Sequence, residues 1–208
     1  MDQTPESNHL SSEDEPKQAI LRLASDVRVC TLCRLCETRT HAVPGEGSAT
    51  PLVVFVGEGP GAEEDRLGRP FVGRSGRFLT GMIEGIGLRR EDVFITSVVK
   101  CRPPKNRAPR PDEVAACRGY LEQQIELLAP RVVVTLGRYS MQHWFLGERI
   151  TQIHGQTREI APGRVALPLF HPAAALRNPA WRAAFAADMQ KLPALLASQG
   201  EKTVNSHQ

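Results

Sequence analysis

Hydrophobic positions along the chain fall into two kinds of run. Four segments are short, rich in β-branched residues and closed by glycine, proline or polar residues: "LVVFVG" at 52–57, "VFITSVV" at 93–99, "RVVVTLG" at 131–137 and "VALPLF" at 165–170. They lack polar alternation, so each predicts a strand buried on both faces. Between them, helical patterns cover 17–29, 74–86, 111–128 and 138–146, and a last one lies near 179–197. Strands separated by helices predict an α/β fold with three α/β/α layers and a central four-stranded parallel sheet. Ligands in such folds bind at the carboxyl ends of the strands, where Gly57, Lys100, Gly137 and His171 fall.

The 208 residues suit one domain with a sizeable core. The expected organisation is a disordered acidic tail over 1–16, one domain over 17–197 and a polar, disordered tail over 198–208. The N-terminal run carries Asp2, Glu6, Glu13, Asp14 and Glu15 before the first base, Lys17. Without those five acids the formal net charge rises from +3 to +8, so the expected folded part is basic. Its densest basic stretch, "KCRPPKNRAPR", contributes Lys100, Arg102, Lys105, Arg107 and Arg110 with no acid. That stretch suits a polyanion such as nucleic acid, although charge alone leaves a solvated loop open. There is no apolar stretch of membrane-spanning length, and the N-terminus lacks the basic-then-apolar order of a secretory signal. A cytoplasmic protein is expected, with no membrane partner. Five cysteines in such a compartment point to metal binding before disulfides.

The loop after the first strand, "GEGPGAEEDRLGRPFVGRSG", is dense in glycine and acid. Gly57, Gly59 and Ala62 fit dinucleotide-binding spacing, but Gly68 and Pro70 leave little room for the helix that fingerprint needs. Glu58, Glu63, Glu64 and Asp65 oppose a pyrophosphate, and no Gly-Lys-Ser/Thr follows for a Walker-type loop. On these residues alone an ordinary turn with solvated acids stays open.

"GEGPG", "EEDRLGRPFVGRSG", "VVKCRPPKNRAPRP" and "HPAAALRNP", in this order, resemble the iron–sulfur uracil-DNA glycosylases of family 4. The resemblance spans about residues 28 to 195. It implies the glycosylase fold and a monofunctional enzyme that removes uracil from single- and double-stranded DNA, with other deaminated bases left open. The expected product is an abasic site for base excision repair, and the expected state is a monomer at the nucleoid. The alternative is an iron–sulfur DNA-binding protein that recognises lesions with little turnover. No lysine is placed as a lyase nucleophile in the matched motifs, and no "KRRIH"-like insertion lies between Gly76 and Val93 to supply a covalent histidine.

Residue by residue, the resemblance makes Glu58 the group that positions water and stabilises the sugar cation, and His171 the donor to uracil O2. Gly57, Gly59 and Gly61 would let backbone approach the base, Pro60 would contact it, and Phe71 would stack on it. Leu176 would fill the hole left by the flipped nucleotide, with Arg177 on a phosphate. Ser97 stands where the family has an asparagine that pairs with uracil, and a hydroxyl cannot make that two-point contact. The resemblance also implies a [4Fe–4S] cluster on Cys30, Cys33, Cys101 and Cys117, leaving Cys36 over. Spacing alone favours a four-cysteine zinc site.

Overall fold

A computed structural model describes residues 14–204, with side chains over 15–198. The chain runs α1 (Asp14–Val29), β1 (Glu46–Gly47), β2 (Val53–Gly57), α2 (Ala62–Leu67), α3 (Arg74–Glu84), β3 (Phe94–Ser97), α4 (Pro111–Leu128) and β4 (Val132–Leu136). It continues through α5 (Arg138–Met141), α6 (Ile150–Ile153), β5 (Arg158–Ala161), β6 (Arg164–Leu169), α7 (Pro172–Ala175), α8 (Pro179–Met189) and α9 (Leu192–Val204). Most of the expected acidic tail lies outside the described residues, as do residues 205–208. At the inner ends of both expected tails, Asp14–Pro16 belong to α1 and 198–204 to α9.

Sheet order is β1-β3-β2-β4-β6-β5. The four central strands are parallel, and β1 and β5 join antiparallel at the two edges. The expected four parallel strands thus form the centre of a mixed sheet of six. β1 is only two residues long and β5, "REIA", is half polar, so neither carries the apolar run that marks a buried strand.

Alternation along β2 builds a core on each face. Val53 and Phe55 pack with Leu79 and Ile83 of α3 and Phe185 of α8, while Val54 and Val56 pack with Val27 of α1 and Leu121 and Ile125 of α4. Helix ends follow their sequence signals. Asn178 accepts from the Ala180 amide at 2.9 Å with Pro179 at the first helical position of α8. α4 opens with Pro111 and the Glu113 carboxylate on the Arg110 amide at 2.8 Å.

Three expectations need correcting. The helix expected over 138–146 is one turn, α5, after which the chain folds so that Phe145 packs with Met141, Ile153 and Ala166. The helix expected over 179–197 breaks between α8 and α9, because Pro193 would oppose a continuous ladder there. A helix does start at Ala62, six residues long and ended by Gly68 at φ 68°.

Candidate active site

The β2–β3 register places Gly57 beside Ser97. The loops that leave the parallel strands there, with the turn after β6, enclose a cleft of about 480 Å³. Its walls include Glu58, Gly59, Pro60, Phe71, Ser97 and His171, with Arg177 also lining it. Sequence motifs more than a hundred residues apart thus meet in one place.

Glu58 follows β2 directly, and its carbonyl accepts from the Val99 amide at 3.1 Å. Its carboxylate has no hydrogen-bond partner among the described residues. Burial pushes its pKa above the ordinary glutamate value, and the Arg138 charge works against that rise. The side chain is thus poised to take a proton or face a positive charge in the cleft.

Phe71 has φ 49°, in the left-handed region that a bulky residue enters at a cost of about 1 kcal/mol or more. Two glycines make that conformation possible. A Cβ on Gly57 would lie 2.6 Å from the Phe71 ring, and one on Gly76 would lie 1.9 Å from the Phe71 carbonyl oxygen. At each of the three loop glycines a neighbour stands where a Cβ would lie. At Gly57 the Phe71 ring fills that space, at Gly59 the Val99 side chain and at Gly61 the Glu64 carboxylate.

His171 caps the N-terminus of α7, and its Nδ1 accepts from the Ala173 amide at 3.1 Å. Its ring lies 6.0 Å from that of Phe71, inclined by 32°. Burial, and secondarily the Arg177 charge, pull its pKa down to about 4. Ser97 is buried, and it lines the cleft from the end of β3.

Lys100 belongs to the interior, while Arg107 is half-buried. Lys100, expected on the DNA backbone, is 1% exposed, and its Nζ donates to Thr96 Oγ1 at 2.7 Å, the Ser97 carbonyl at 2.7 Å and Gln124 Oε1 at 2.6 Å. A phosphate has no access to it. Arg107 lines the cleft but forms a two-pronged pair with buried Glu113 at 2.8 and 2.6 Å, holding that carboxyl down at about 2. Lys105 and Arg110 are exposed, whereas Arg102 is half-buried and bonds Asn106 Oδ1 at 2.7 Å. Leu176 is half-buried just past α7, and Arg177 beside it is exposed.

One residue of the loop went unread. Glu64 Oε1 accepts from the amides of Val72 and Gly73 at 3.0 and 2.9 Å, and its Oε2 accepts from the Gly61 amide at 3.1 Å. It ties the "GEGPG" turn to the "PFVG" turn. The paired glutamates in "AEEDRL" could not reveal the bonds to Val72 and Gly73, whose amides folding brings near, whereas the Gly61 bond is a local capping contact at the start of α2.

All five cysteines line one cavity between α1, the turn at Arg34–Glu37 and α4. Sulfur acceptors there meet N–H donors: Arg39 Nη1 reaches Cys101 Sγ at 3.1 Å and the Lys100 amide reaches Cys117 Sγ at 3.3 Å. Burial raises the Cys101 thiol to about 11 and lifts Cys117 and Cys33 as well. Among the described residues, no three cysteines, histidines or carboxylates converge closely enough to hold a single metal ion. The donor set and its N–H partners suit a thiolate-bound group.

Comparison with known proteins agrees with this geometry. A model of the uracil DNA glycosylase superfamily matches residues 44–192. The type-4 uracil-DNA glycosylase of Sulfurisphaera tokodaii is 44% identical, covering 88% of this chain and 88% of its own length. That of Thermotoga maritima is 46% identical over 78% of this chain and 86% of its own. A type-5 uracil-DNA glycosylase of Thermus thermophilus is 34% identical over 62% of this chain and 68% of its own. Matched by the superfamily model over most of its folded length and by type-4 members over 78% to 88% of the chain, this chain belongs to the type-4 uracil-DNA glycosylases.

Proposed function

We propose that the chain hydrolyses the bond between uracil N1 and the deoxyribose anomeric carbon in DNA, leaving an abasic site for base excision repair. The observation that carries this reading is the meeting of Glu58, Phe71, Ser97 and His171 in one cleft at the strand ends. As the bond breaks, its electron pair leaves with uracil and the sugar gains oxocarbenium character. Glu58, ionised and half-buried, stabilises that cation and takes a proton from the water whose oxygen bonds to the anomeric carbon. Neutral His171, with Nδ1 engaged by Ala173, carries its proton on Nε2 and donates it as a hydrogen bond to O2, where negative charge grows. Phe71 stacks on the flipped base, worth about 1–3 kcal/mol and independent of base identity. Ser97 meets the base edge with a single hydroxyl, so the site reads bases more loosely than an asparagine would.

Around the cleft, Arg177, Lys105, Arg110 and Arg102 contact phosphates of single- or double-stranded DNA, and Leu176 fills the gap left in the stack. Pro60, at the cleft wall, borders the base. Cys30, Cys33, Cys101 and Cys117 would hold a [4Fe–4S] cluster, which would brace the basic loop against the N-terminal segment and would supply no redox step. A cluster takes one thiolate per iron, so its ligands need not meet at one point as those of zinc do. The reading is of a monomer acting on DNA in the cytoplasm, at the nucleoid; separately, no helix among the described residues is long and apolar enough to cross a membrane. The test is incubation of purified protein with uracil, hypoxanthine and xanthine oligonucleotides followed by alkali. Cleavage at uracil is expected, and its absence in all three would refute the reading.

A further inference from the structure

The peptide linking Phe71 to Val72 is held from both sides by groups of opposite charge. On its carbonyl side Arg90, in the short turn before β3, donates from Nη2 to the Pro70 oxygen at 2.6 Å and from Nη1 to the Phe71 oxygen at 3.3 Å. The same Nη1 reaches Thr80 Oγ1 on α3 at 3.0 Å. On the amide side the Glu64 carboxylate accepts from Val72 and Gly73. Arg90 is anchored in turn: its Nε lies 3.6 Å from Glu46 on edge strand β1, a carboxylate that Arg69 grips at 2.6 and 2.9 Å.

A phenylalanine at positive φ relaxes unless its surroundings fix it. Within the turn itself Pro70 offers no donor, and Gly73, two residues on, is permissive. Arg90 is suited to the task because a planar fork can take two successive carbonyls, which a lysine ammonium cannot do with fixed geometry. We infer that Arg90 is a positioning residue of the glycosylase site, and that with Glu64 it clamps the turn so that the Phe71 ring stands ready against the flipped base. This rests on the reading of Phe71 as the stacking ring. Arg90 itself touches no substrate and acts only through that ring.

A double-mutant cycle with Phe71 separates this role from general support of the fold. In single-turnover uracil excision, Arg90→Ala should slow the reaction by about tenfold, the scale of lost charged hydrogen bonds. In a Phe71→Ala background the same change should cost little, since no ring remains to position. Guanidinium ion at about 20 mM should restore part of the rate to Arg90→Ala and none to the double variant, a response expected only where the missing fork is the defect. Equal losses in both backgrounds would overturn the inference. Should Arg90→Ala fail to fold, Arg90→Lys and Thr80→Val provide milder versions of the same cycle.

A second readout does not need catalysis. With 4-fluorophenylalanine at position 71, the native protein should give one sharp fluorine resonance, and Arg90→Lys a broadened or doubled one. An unchanged single line in Arg90→Lys would refute the clamp even if excision slowed. If the unaltered protein excised no base, the glycosylase reading would fail, while the fluorine spectra would still decide whether Arg90 fixes the ring.

Discussion

The Ala173 amide donates to Nδ1 of His171 across 3.1 Å, which leaves the proton of the neutral ring on Nε2. The ring is buried enough that its pKa falls from an ordinary 6.5 to about 4. The unfolded ring takes up a proton below about 6.5, while the folded one resists to about 4, so stability from this group is complete above the first value. It is lost as pH falls through the second. Glu58 shifts the other way, upward by burial, and so loses its charge at higher pH than an exposed glutamate. Excision should therefore fall on the acid side in a single step, set by Glu58 above the ordinary value of 4.5, with His171 still neutral. A pH profile of single-turnover rate checks this, and a second acid-side step near 6.5 would show that His171 titrates as an exposed ring.

Lys100 and Lys105 are five residues apart and should behave oppositely. Lys100→Ala leaves Thr96, Gln124 and the Ser97 carbonyl short of a donor and opens a cavity, so it should lower unfolding stability by about 2–4 kcal/mol. Its salt dependence of DNA binding should be unchanged. Neutralising Lys105 and Arg110 should leave stability intact and flatten that dependence by about 0.7–0.9 log units per tenfold salt for each phosphate lost. Denaturant melts and binding titrations at several salt concentrations separate the two. A flattened slope in Lys100→Ala would contradict its placement in the interior.

If the cysteine cavity holds a cluster, anaerobically handled protein should be brown, with about four iron and four sulfide per chain. Serine at Cys30, Cys33, Cys101 or Cys117 should lose colour and stability, and at Cys36 should keep both. Stoichiometric zinc without sulfide would overturn the cluster.

Ser97 should make this member a broader and slower reader of bases. An asparagine amide meets uracil N3–H and O4 together, whereas the serine hydroxyl makes one contact and leaves room for water. Ser97→Asn should raise uracil excision by about tenfold, near one net hydrogen bond, and raise other deaminated bases less or lower them. Unchanged uracil excision would mean that another residue reads the base.

What the sequence reveals depends on how local each cause is. β2, β3, β4 and β6 were legible because strands buried on both faces must be continuously apolar. The edge strands β1 and β5 were not, since two residues of Glu-Gly and a half-polar tetrapeptide carry no such mark. Glu58, Phe71, Ser97 and His171 could be gathered from motifs, and they do share a cleft. Lys100 was misread because charge in a sequence says nothing of burial, and its acceptors come from β3 and α4. Arg90 and Glu64 stayed hidden for a related reason: the bonds that join them to the Pro70–Gly73 turn run to main-chain atoms that only folding brings near.

The central claim is that Glu58 and His171 act on the two ends of one bond. It is tested most directly by single-turnover excision from a uracil oligonucleotide, measured beside affinity for the same DNA in Glu58→Gln and His171→Ala. The account predicts that each change slows excision by about a hundredfold or more while affinity stays within about threefold. Equal losses of rate and affinity, or excision that survives both changes, would contradict it.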